Sequence, residues 1–261
     1  MRSRDRTARE PSVPAGYARF TAFEADVVAR DTCVDLVRQA MRGHSLYGYA
    51  AAHPERRELR GRAPAYAVPL PGGDPRVVVR HSRHGGLLAP VTGDRFLAPT
   101  RAPQELATSL RLIDAGVSTP EIIAYAVYSA GGPFRRSDIA TREVEGGRDL
   151  AALLGDPAAR RDVPEVFDAT ARLLRTLARA GARHPDLNAA NVLLVRRDEG
   201  AYRAVVLDVD RVAFGTAGDA TIATANLERL TRSLRKLRGL DRIDISDAEL
   251  AALAAAAGRA A

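Results

Sequence analysis

Three polar side chains in the second half of the chain have the types and spacing of a phosphoryl-transfer site. Asp186 and Asn191 lie in the run HPDLNAAN, and Asp208 ends the apolar run VVLD. Phosphoryl transfer from a nucleotide needs a carboxylate that orients the attacking hydroxyl and oxygen ligands that fix Mg²⁺ on the phosphates. Two carboxylates and an amide supply that set of groups. We therefore expect a Mg²⁺-dependent site that uses a nucleotide such as ATP.

The spacing H-x-D-x-x-x-x-N, from His184 to Asn191, matches the catalytic-loop pattern of kinases, and an apolar run follows it directly. By this match Asp186 would orient the acceptor hydroxyl, and Asn191 and Asp208 would bind the metal. His184 is expected to brace the loop rather than to take part in the chemistry. The alternative is that Asp186 and Asn188 only cap a turn, but capping does not explain the second carboxylate at the strand end.

Further motifs accompany this loop between residues 58 and 215. They are RHSRHGGLLA from Arg80, DRFL from Asp94, Arg101, Glu105, GVSTP ending at Pro120, and DVD from Asp208 to Asp210. Together they resemble the lipopolysaccharide kinases that phosphorylate inner-core sugars, particularly the 3-deoxy-D-manno-octulosonic acid (Kdo) kinases. The resemblance implies an α+β, two-lobed protein-kinase-like fold and ATP-dependent phosphorylation of a sugar hydroxyl on a lipid-anchored glycan. It also implies a location at the cytoplasmic face of the inner membrane.

The nucleotide-binding part departs from the protein-kinase pattern. Lys236 is the only lysine and lies far from the strand that carries the phosphate-binding lysine of protein kinases. The resemblance places Arg80 there, and arginine can hold phosphate bidentately; the alternative is a solvated charge at a strand end. Glu105 would pair with Arg80, or else be an exposed first-turn glutamate favoured by the helix dipole. Gly61 is the candidate glycine of a degenerate phosphate-covering loop, and Asp210 replaces the glycine of the metal-binding triplet.

A β-rich first half and a mainly helical second half must position these residues. The predicted elements are a strand-like run over 17–30, a helix over 33–41, strands at 66–70 and 77–80 around the turn PGGD, a helix over 104–115, strands at 121–128 and 138–144, a helix that ends at Gly181, strands at 192–195 and 204–207, and helices over 223–238 and 246–260. We expect a flexible arm over 1–14, an N-terminal lobe over 15–145 and a C-terminal lobe over 146–261, with a cleft between the lobes.

Three helices are predicted to have an apolar face. These faces consist of Leu106, Leu110 and Ile113 with Ala107; of Val163, Val166, Phe167, Thr170, Leu173, Leu174 and Leu177; and of Leu227, Leu230, Leu234 and Leu237. For the last face we favour packing in the core over contact with an anionic membrane.

Composition narrows the class of protein. The chain has 39 Lys and Arg against 32 Asp and Glu, which fits anionic partners and equally fits a genomic bias toward arginine codons. Nucleic acid receives little weight as a partner, because aromatic residues make up only 5% of the chain and no base-reading motif is present.

Cys33 is the only cysteine, which excludes an internal disulfide and favours a reducing compartment. Without a signal peptide or a run of 18 apolar residues, we expect a cytoplasmic protein with at most peripheral membrane contact.

Two further interpretations stay open beside a sugar kinase of lipopolysaccharide. One is a kinase-like phosphotransferase that acts on a hydroxyl of a protein or small molecule. The other is a nucleotide-binding pseudokinase scaffold, which the missing strand lysine and the poor glycine loop would favour. The basic segment from His81 to Gly86 could bind an anionic sugar or a lipid phosphate, or could be a solvated loop.

Overall fold

The structure is a computed structural model that describes residues 12–59, 64–81, 96–97, 100–132, 134–197 and 200–258. The chain forms two compact units. The first contains the described residues of Met1–Pro103 and of Ile122–Thr141, and the second contains those of Gln104–Glu121 and of Arg142–Ala261. Gln104–Glu121 is therefore grouped with the second unit. The lobe boundary expected near Gly146 stays a prediction.

The first unit is built on one mainly antiparallel sheet with two short helices. Its elements are β1 Tyr17–Ala22, β2 Ala25–Arg30, α1 Val34–Ala40, α2 Leu46–Ala52, β3 Arg57–Leu59, β4 Ala65–Pro69, β5 Arg76–His81, β6 Phe96–Leu97, β7 Ile122–Ser129 and β8 Phe134–Arg142. Among the described residues, the sheet has the strand order β1-β2-β7-β8-β5-β4-β3, and β6 pairs with β8. The predicted hairpin around PGGD is confirmed, since β4 and β5 pair antiparallel from Ala65 opposite Arg80 to Pro69 opposite Arg76.

The strand-like run over residues 17–30 is a hairpin of two strands. β1 and β2 pair from Tyr17 opposite Arg30 to Ala22 opposite Ala25. The two residues of the turn, Phe23 and Glu24, both have positive φ, at 44° and 56°. Such turns normally carry Asn, Asp or Gly, because these residues tolerate positive φ. The strand character of the run is therefore confirmed, and no residue type in the run indicates the turn within it.

The second unit is mainly helical and contains one small hairpin. Its elements are α3 Ala102–Asp114, which begins in the first unit, and then β9 Arg148–Asp149, α4 Leu150–Leu154, α5 Val163–Arg179, β10 Ala182–Arg183, β11 Val192–Arg196, β12 Tyr202–Val206, β13 Ala213–Phe214, α6 Ala220–Arg238 and α7 Asp247–Gly258. β11 pairs antiparallel with both β12 and β9, and β10 pairs with β13. One core joins α5, α6, α7 and the hairpin.

The long helix α5 supplies the largest part of that core. All seven residues of its predicted apolar face are buried, and burying a large aliphatic side chain contributes roughly 1.5–3 kcal/mol. On α6, Leu230 and Leu234 are buried, and Leu227 and Leu237 pack against the same core. The preference for core packing over membrane contact is therefore confirmed for this face.

The apolar face predicted for α3 was partly wrong. The buried residues of this helix include Leu106 and Leu112, whereas Ile113 is 39% exposed. Polar residues share the buried face, namely Glu105, Thr108 and Ser109. Small hydroxyl side chains can be buried when a backbone carbonyl accepts their hydrogen bond, as Pro120 O does from Ser109 Oγ at 3.5 Å.

Gly181 is a sensitive position, because it follows α5 and leads into the site segment. Its φ is +64°, and a Cβ there would lie 2.5 Å from the carbonyl oxygen of Gly215. Gly116, which follows α3, has a φ of +75° but open space around the Cβ position. Alanine at Gly116 would therefore bring only the strain of a positive φ, whereas alanine at Gly181 would bring that strain and a steric clash as well.

We predict that Gly181→Ala lowers the free energy of unfolding by roughly 2–5 kcal/mol, because strain and clash both apply. Gly116→Ala, the matched control, should lose only about 1 kcal/mol from the positive φ. Urea unfolding followed by circular dichroism measures both changes. Equal losses in the two variants would contradict the packing described at Gly181.

Candidate active site

The loop that carries Asp186 is fixed by a buried histidine. His184 is only 1% exposed. Its Nδ1 accepts a hydrogen bond from the backbone N–H of Asp186 at 3.2 Å, so its Nε2 carries the hydrogen that is donated to Leu207 O at 3.0 Å. The histidine therefore spans from the loop to the residue before Asp208. These contacts confirm that His184 braces the loop.

A second buried polar residue, Asn226 of α6, holds the start of the same loop. Asn226 Oδ1 accepts from the backbone N–H of His184 at 2.9 Å, and Asn226 Nδ2 donates to Ala182 O at 2.8 Å. The side chain is fully buried. An unpaired buried backbone group costs about 1–3 kcal/mol, so this amide removes that cost for two groups at once.

Asp186 is half-buried, and both its backbone oxygen and its carboxylate accept hydrogen bonds. Its backbone oxygen accepts from Asn191 Nδ2 at 2.9 Å and from Asn188 Nδ2 at 3.0 Å. Its carboxylate accepts from Arg211 through Oδ2 at 2.7 Å and from Arg229 through Oδ1 at 3.2 Å. Each carboxylate oxygen has further lone-pair capacity, so the group can still accept a hydrogen bond from a hydroxyl.

The hairpin of β11 and β12 brings Asn191 and Asp208 to the same end of the second unit. Val192 lies opposite Val206 in the register, and Leu207 N donates to Asn191 O at 2.9 Å. Asn191 precedes β11 and Asp208 follows Leu207, so both side chains start from the same edge of the hairpin. Asn191 and Asp208 therefore lie close to each other along the backbone at this end of the hairpin.

Asp208 has an unusual backbone conformation. Its φ and ψ are 59° and 52°, in the left-handed region, which costs an L-residue roughly 1–2 kcal/mol, less when it is Asp or Asn. The residue is exposed. Among the residues that the structure describes, none donates a hydrogen bond to its carboxylate. Strained backbone conformations are more frequent at functional sites, where they direct a side chain toward a ligand.

The oxygen donors of this edge fit Mg²⁺. Because Asn191 Nδ2 donates to Asp186 O, its amide oxygen Oδ1 can serve as a metal ligand, as can the carboxylate of Asp208 at the same edge of the hairpin. Mg²⁺ typically takes one or two protein ligands and completes its shell with phosphate and water oxygens. In the described part of the chain, no group of three or more His, Cys, Asp or Glu side chains could hold a metal by itself. The donor set therefore suits a cation that is shared with phosphate.

The predicted nucleotide-binding residues lie in different parts of the chain. Arg80 stands near the end of β5, opposite Ala65, in the first unit. Glu105 stands in the first turn of α3, in the second unit, and is only 4% exposed, so the alternative of an exposed first-turn glutamate is wrong. A buried carboxylate needs a hydrogen-bonding or charged partner. The pairing of Arg80 with Glu105 stays a prediction, and Gly61 lies outside the described residues.

The basic segment that begins at His81 has a structural residue at its start. His81 Nδ1 donates to the fully buried Asp138 at 2.6 Å, and its ring stacks on Tyr47 with the centroids 3.7 Å apart. The Asp138 carboxylate also accepts from the backbone N–H of Tyr47 at 3.0 Å. Burial, reinforced by Asp138, raises the pKa of the Tyr128 hydroxyl above its usual range. His81 is therefore an anchor of the first unit, and residues 82–86 lie outside the described residues.

Sequence reasoning did not assign Arg211, Arg229 or Asn226 to the site. A signal for Asn226 was present, since it stands four residues from both Ile222 and Leu230 and so shares their buried face. A polar residue within an apolar face indicates a buried hydrogen-bonding role. Arg211 and Arg229 gave no comparable signal, because arginine is frequent throughout the chain.

Comparison with a solved structure defines the class of fold. A structure described as "WaaP in complex with acyl carrier protein" aligns with 88% of this chain and 88% of that chain, with a TM-score of 0.56 and 19% identity. This likeness confirms the expected α+β kinase-like fold. Among the described residues, no helix is long and apolar enough to cross a membrane.

Comparison at the level of sequence then gives the family. The model of the lipopolysaccharide kinase (Kdo/WaaP) family matches residues 57–256, and the chain belongs to this family. Similar relatives are named 3-deoxy-D-manno-octulosonic acid kinase. That of Vibrio parahaemolyticus is 29% identical over 55% of this chain and 59% of the relative. That of Haemophilus influenzae strain PittEE is 33% identical over 51% and 56%, and that of Xanthomonas oryzae pv. oryzae strain PXO99A is 36% identical over 58% of both. The alignments thus span less than two thirds of these relatives.

We predict that Asn226→Leu, which is similar in size, lowers the free energy of unfolding by roughly 2–5 kcal/mol because it leaves two buried backbone groups unpaired. Thr224→Leu on the exposed face of α6 is the matched control and should change stability by less than about 0.5 kcal/mol. Urea unfolding monitored by circular dichroism gives both values. A loss no larger for Asn226→Leu than for the control would refute the bracing role of this amide.

Proposed function

We propose that the protein is a Mg²⁺-dependent, ATP-dependent phosphotransferase whose acceptor is a hydroxyl of an inner-core sugar of lipopolysaccharide, with Kdo as the first candidate. The observation that carries this proposal is a pair of hydrogen bonds, from Asn191 Nδ2 to Asp186 O and from His184 Nε2 to Leu207 O, which connect the loop of Asp186 to the end of the hairpin that leads into Asp208. Membership of the lipopolysaccharide kinase family supports the reaction class, and the names of the relatives support Kdo as the acceptor.

In the proposed reaction, the Asp186 carboxylate accepts a hydrogen bond from the acceptor hydroxyl and aims its oxygen at the terminal phosphorus. As the new P–O bond forms and the bond to the ADP oxygen breaks, the proton of the hydroxyl passes to Asp186. Asn191 Oδ1 and the Asp208 carboxylate would hold the cation. Mg²⁺ supplies charge neutralisation on the phosphates when it is bound. His184 takes no proton in this scheme, because both of its ring nitrogens are committed to the backbone.

The nucleotide-binding roles follow the same proposal. Arg80 would hold nucleotide phosphates in place of the strand lysine, because a guanidinium is permanently charged and matches phosphate oxygens with two donors. Glu105 would orient Arg80, which accounts for a carboxylate that is buried in the first turn of a helix. Gly61 would belong to the segment that covers the phosphates.

A peripheral location on the inner face of the inner membrane is part of the proposal. The acceptor is anchored in that membrane, so the enzyme must reach it from the cytoplasmic side. The formal net charge of +7 favours contact with an anionic lipid surface.

We predict that Asp208→Asn abolishes transfer, with a loss of at least about 100-fold in kcat, and leaves the fold intact, because asparagine tolerates positive φ. Asp241→Asn is a matched control, since Asp241 is also exposed and has a φ of 54° but follows α6, outside the two segments that carry Asp186 and Asp208. The assay measures ADP formation and phosphate on a Kdo–lipid A precursor in the presence of Mg²⁺.

Asp186→Asn should lose transfer to a similar degree while it keeps binding of Mg²⁺-ATP. Full transfer in either site variant would contradict the assigned roles. Transfer by the unaltered protein to a protein or small-molecule hydroxyl alone would move the proposal to that acceptor class. Nucleotide binding without transfer to any acceptor would identify a scaffold.

A further inference from the structure

Two arginines from separate elements converge on the carboxylate of Asp186. Arg211 belongs to the short 3₁₀ turn Val209–Arg211 directly after Asp208, and Arg229 belongs to α6. Their guanidinium groups donate to different oxygens of Asp186, at 2.7 and 3.2 Å. Within these three side chains, two positive charges meet one negative charge. One positive charge is therefore left without compensation inside the triad.

Stability does not explain this arrangement. The side chains of Arg211 and Arg229 are 53% and 40% exposed, and ion pairs at such positions contribute only about 0–1 kcal/mol. The backbone of Asp186 is already fixed by His184, Asn188 and Asn191. Arg229 also keeps a buried Nε–H that donates to no described residue, and a buried donor without a partner is costly.

The geometry places both guanidinium groups beside the reacting hydroxyl. A hydroxyl that donates to Asp186 lies about 3 Å from the carboxylate, and the guanidinium nitrogens lie equally close to it. Substituents a few bonds from that hydroxyl on a sugar ring can then reach the two guanidinium groups. Each guanidinium has several N–H donors and uses one of them on Asp186, so both groups keep donors that can bind two oxygens of one anion.

We infer that Arg211 and Arg229 form an acceptor subsite that binds an anionic group of the glycolipid acceptor, a carboxylate of the sugar or a phosphate of the lipid, near the attacked hydroxyl. This inference rests on the proposed function, because it takes Asp186 as the residue that orients the acceptor. It makes the two arginines specificity-determining residues: they select an acidic acceptor over a neutral one of the same shape. Occupation of the subsite also supplies the negative charge that the triad lacks.

The test is calorimetric binding to the full chain of two probes, the methyl glycoside of Kdo and its neutral carboxamide analogue. The unaltered protein should bind the acid at least about tenfold more tightly, which corresponds to about 1.4 kcal/mol. Arg211→Gln and Arg229→Gln should each reduce this preference toward one. Arg232→Gln, an exposed position one turn further along α6, should keep the full preference. Circular dichroism checks that each variant is folded.

A second arm identifies the source of the anion. If the anion is a lipid phosphate, the arginine-dependent preference will be found between a phosphorylated and a dephosphorylated lipid A precursor instead of between the two Kdo probes. Either preference supports the inference when both arginine variants lose it.

Three results would overturn the subsite. The first is equal binding of charged and neutral acceptors by the unaltered protein in both arms. The second is a preference that survives in Arg211→Gln and Arg229→Gln. The third is a loss of Mg²⁺-ATP affinity in these variants with acceptor preference unchanged, which would assign the arginines to the nucleotide. Selective binding of the acidic probe without any ADP formation would instead refute the proposed function and leave the subsite in place.

Discussion

The backbone of Leu207 is the constraint on which the site depends. Its N–H donates to Asn191 O and its carbonyl oxygen accepts from His184 Nε2. These two bonds connect the end of the hairpin to the loop that carries Asp186. Asp208 is the next residue and takes its left-handed conformation directly after this double attachment. A strained residue persists when the structure around it holds it in place, and the two bonds of Leu207 hold the residue directly before Asp208.

The polar side chains that hold this loop are buried and hydrogen-bonded. His184 and Asn226 together pair two backbone N–H groups and two carbonyl oxygens. Loss of one such partner leaves a buried group unpaired, whereas loss of a surface ion pair costs little. Buried hydrogen bonds therefore fix the backbone of the loop. The side chains that extend from it and from its neighbours are partly or fully exposed, namely those of Asp186, Asp208, Arg211 and Arg229. The buried hydrogen bonds thus position the backbone that carries the exposed side chains of the proposed site.

The sequence predicted the elements that have a strong period and missed those set by tertiary contacts. The seven-residue face of α5 and the two strands around PGGD were found, because periodicity and turn residues encode them locally. The turn at Phe23 and Glu24 was missed because neither residue type is typical of positive φ. Asp186, Asn191 and Asp208 could be chosen from their spacing, since a loop and a strand end carry them. Arg211 and Arg229 could not be chosen, because only the fold places them on Asp186.

The most direct test of the central claim is the affinity of Mn²⁺, as a substitute for Mg²⁺, measured by electron paramagnetic resonance with a non-hydrolysable ATP analogue. Asn188 and Asn191 both donate to Asp186 O, yet only Asn191 lies at the hairpin edge beside Asp208. The account predicts that Asn191→Ala weakens Mn²⁺ binding at least about tenfold, or about 1.4 kcal/mol, and that Asn188→Ala leaves it unchanged. Equal affinity in both variants and the unaltered protein would contradict a metal site at this edge.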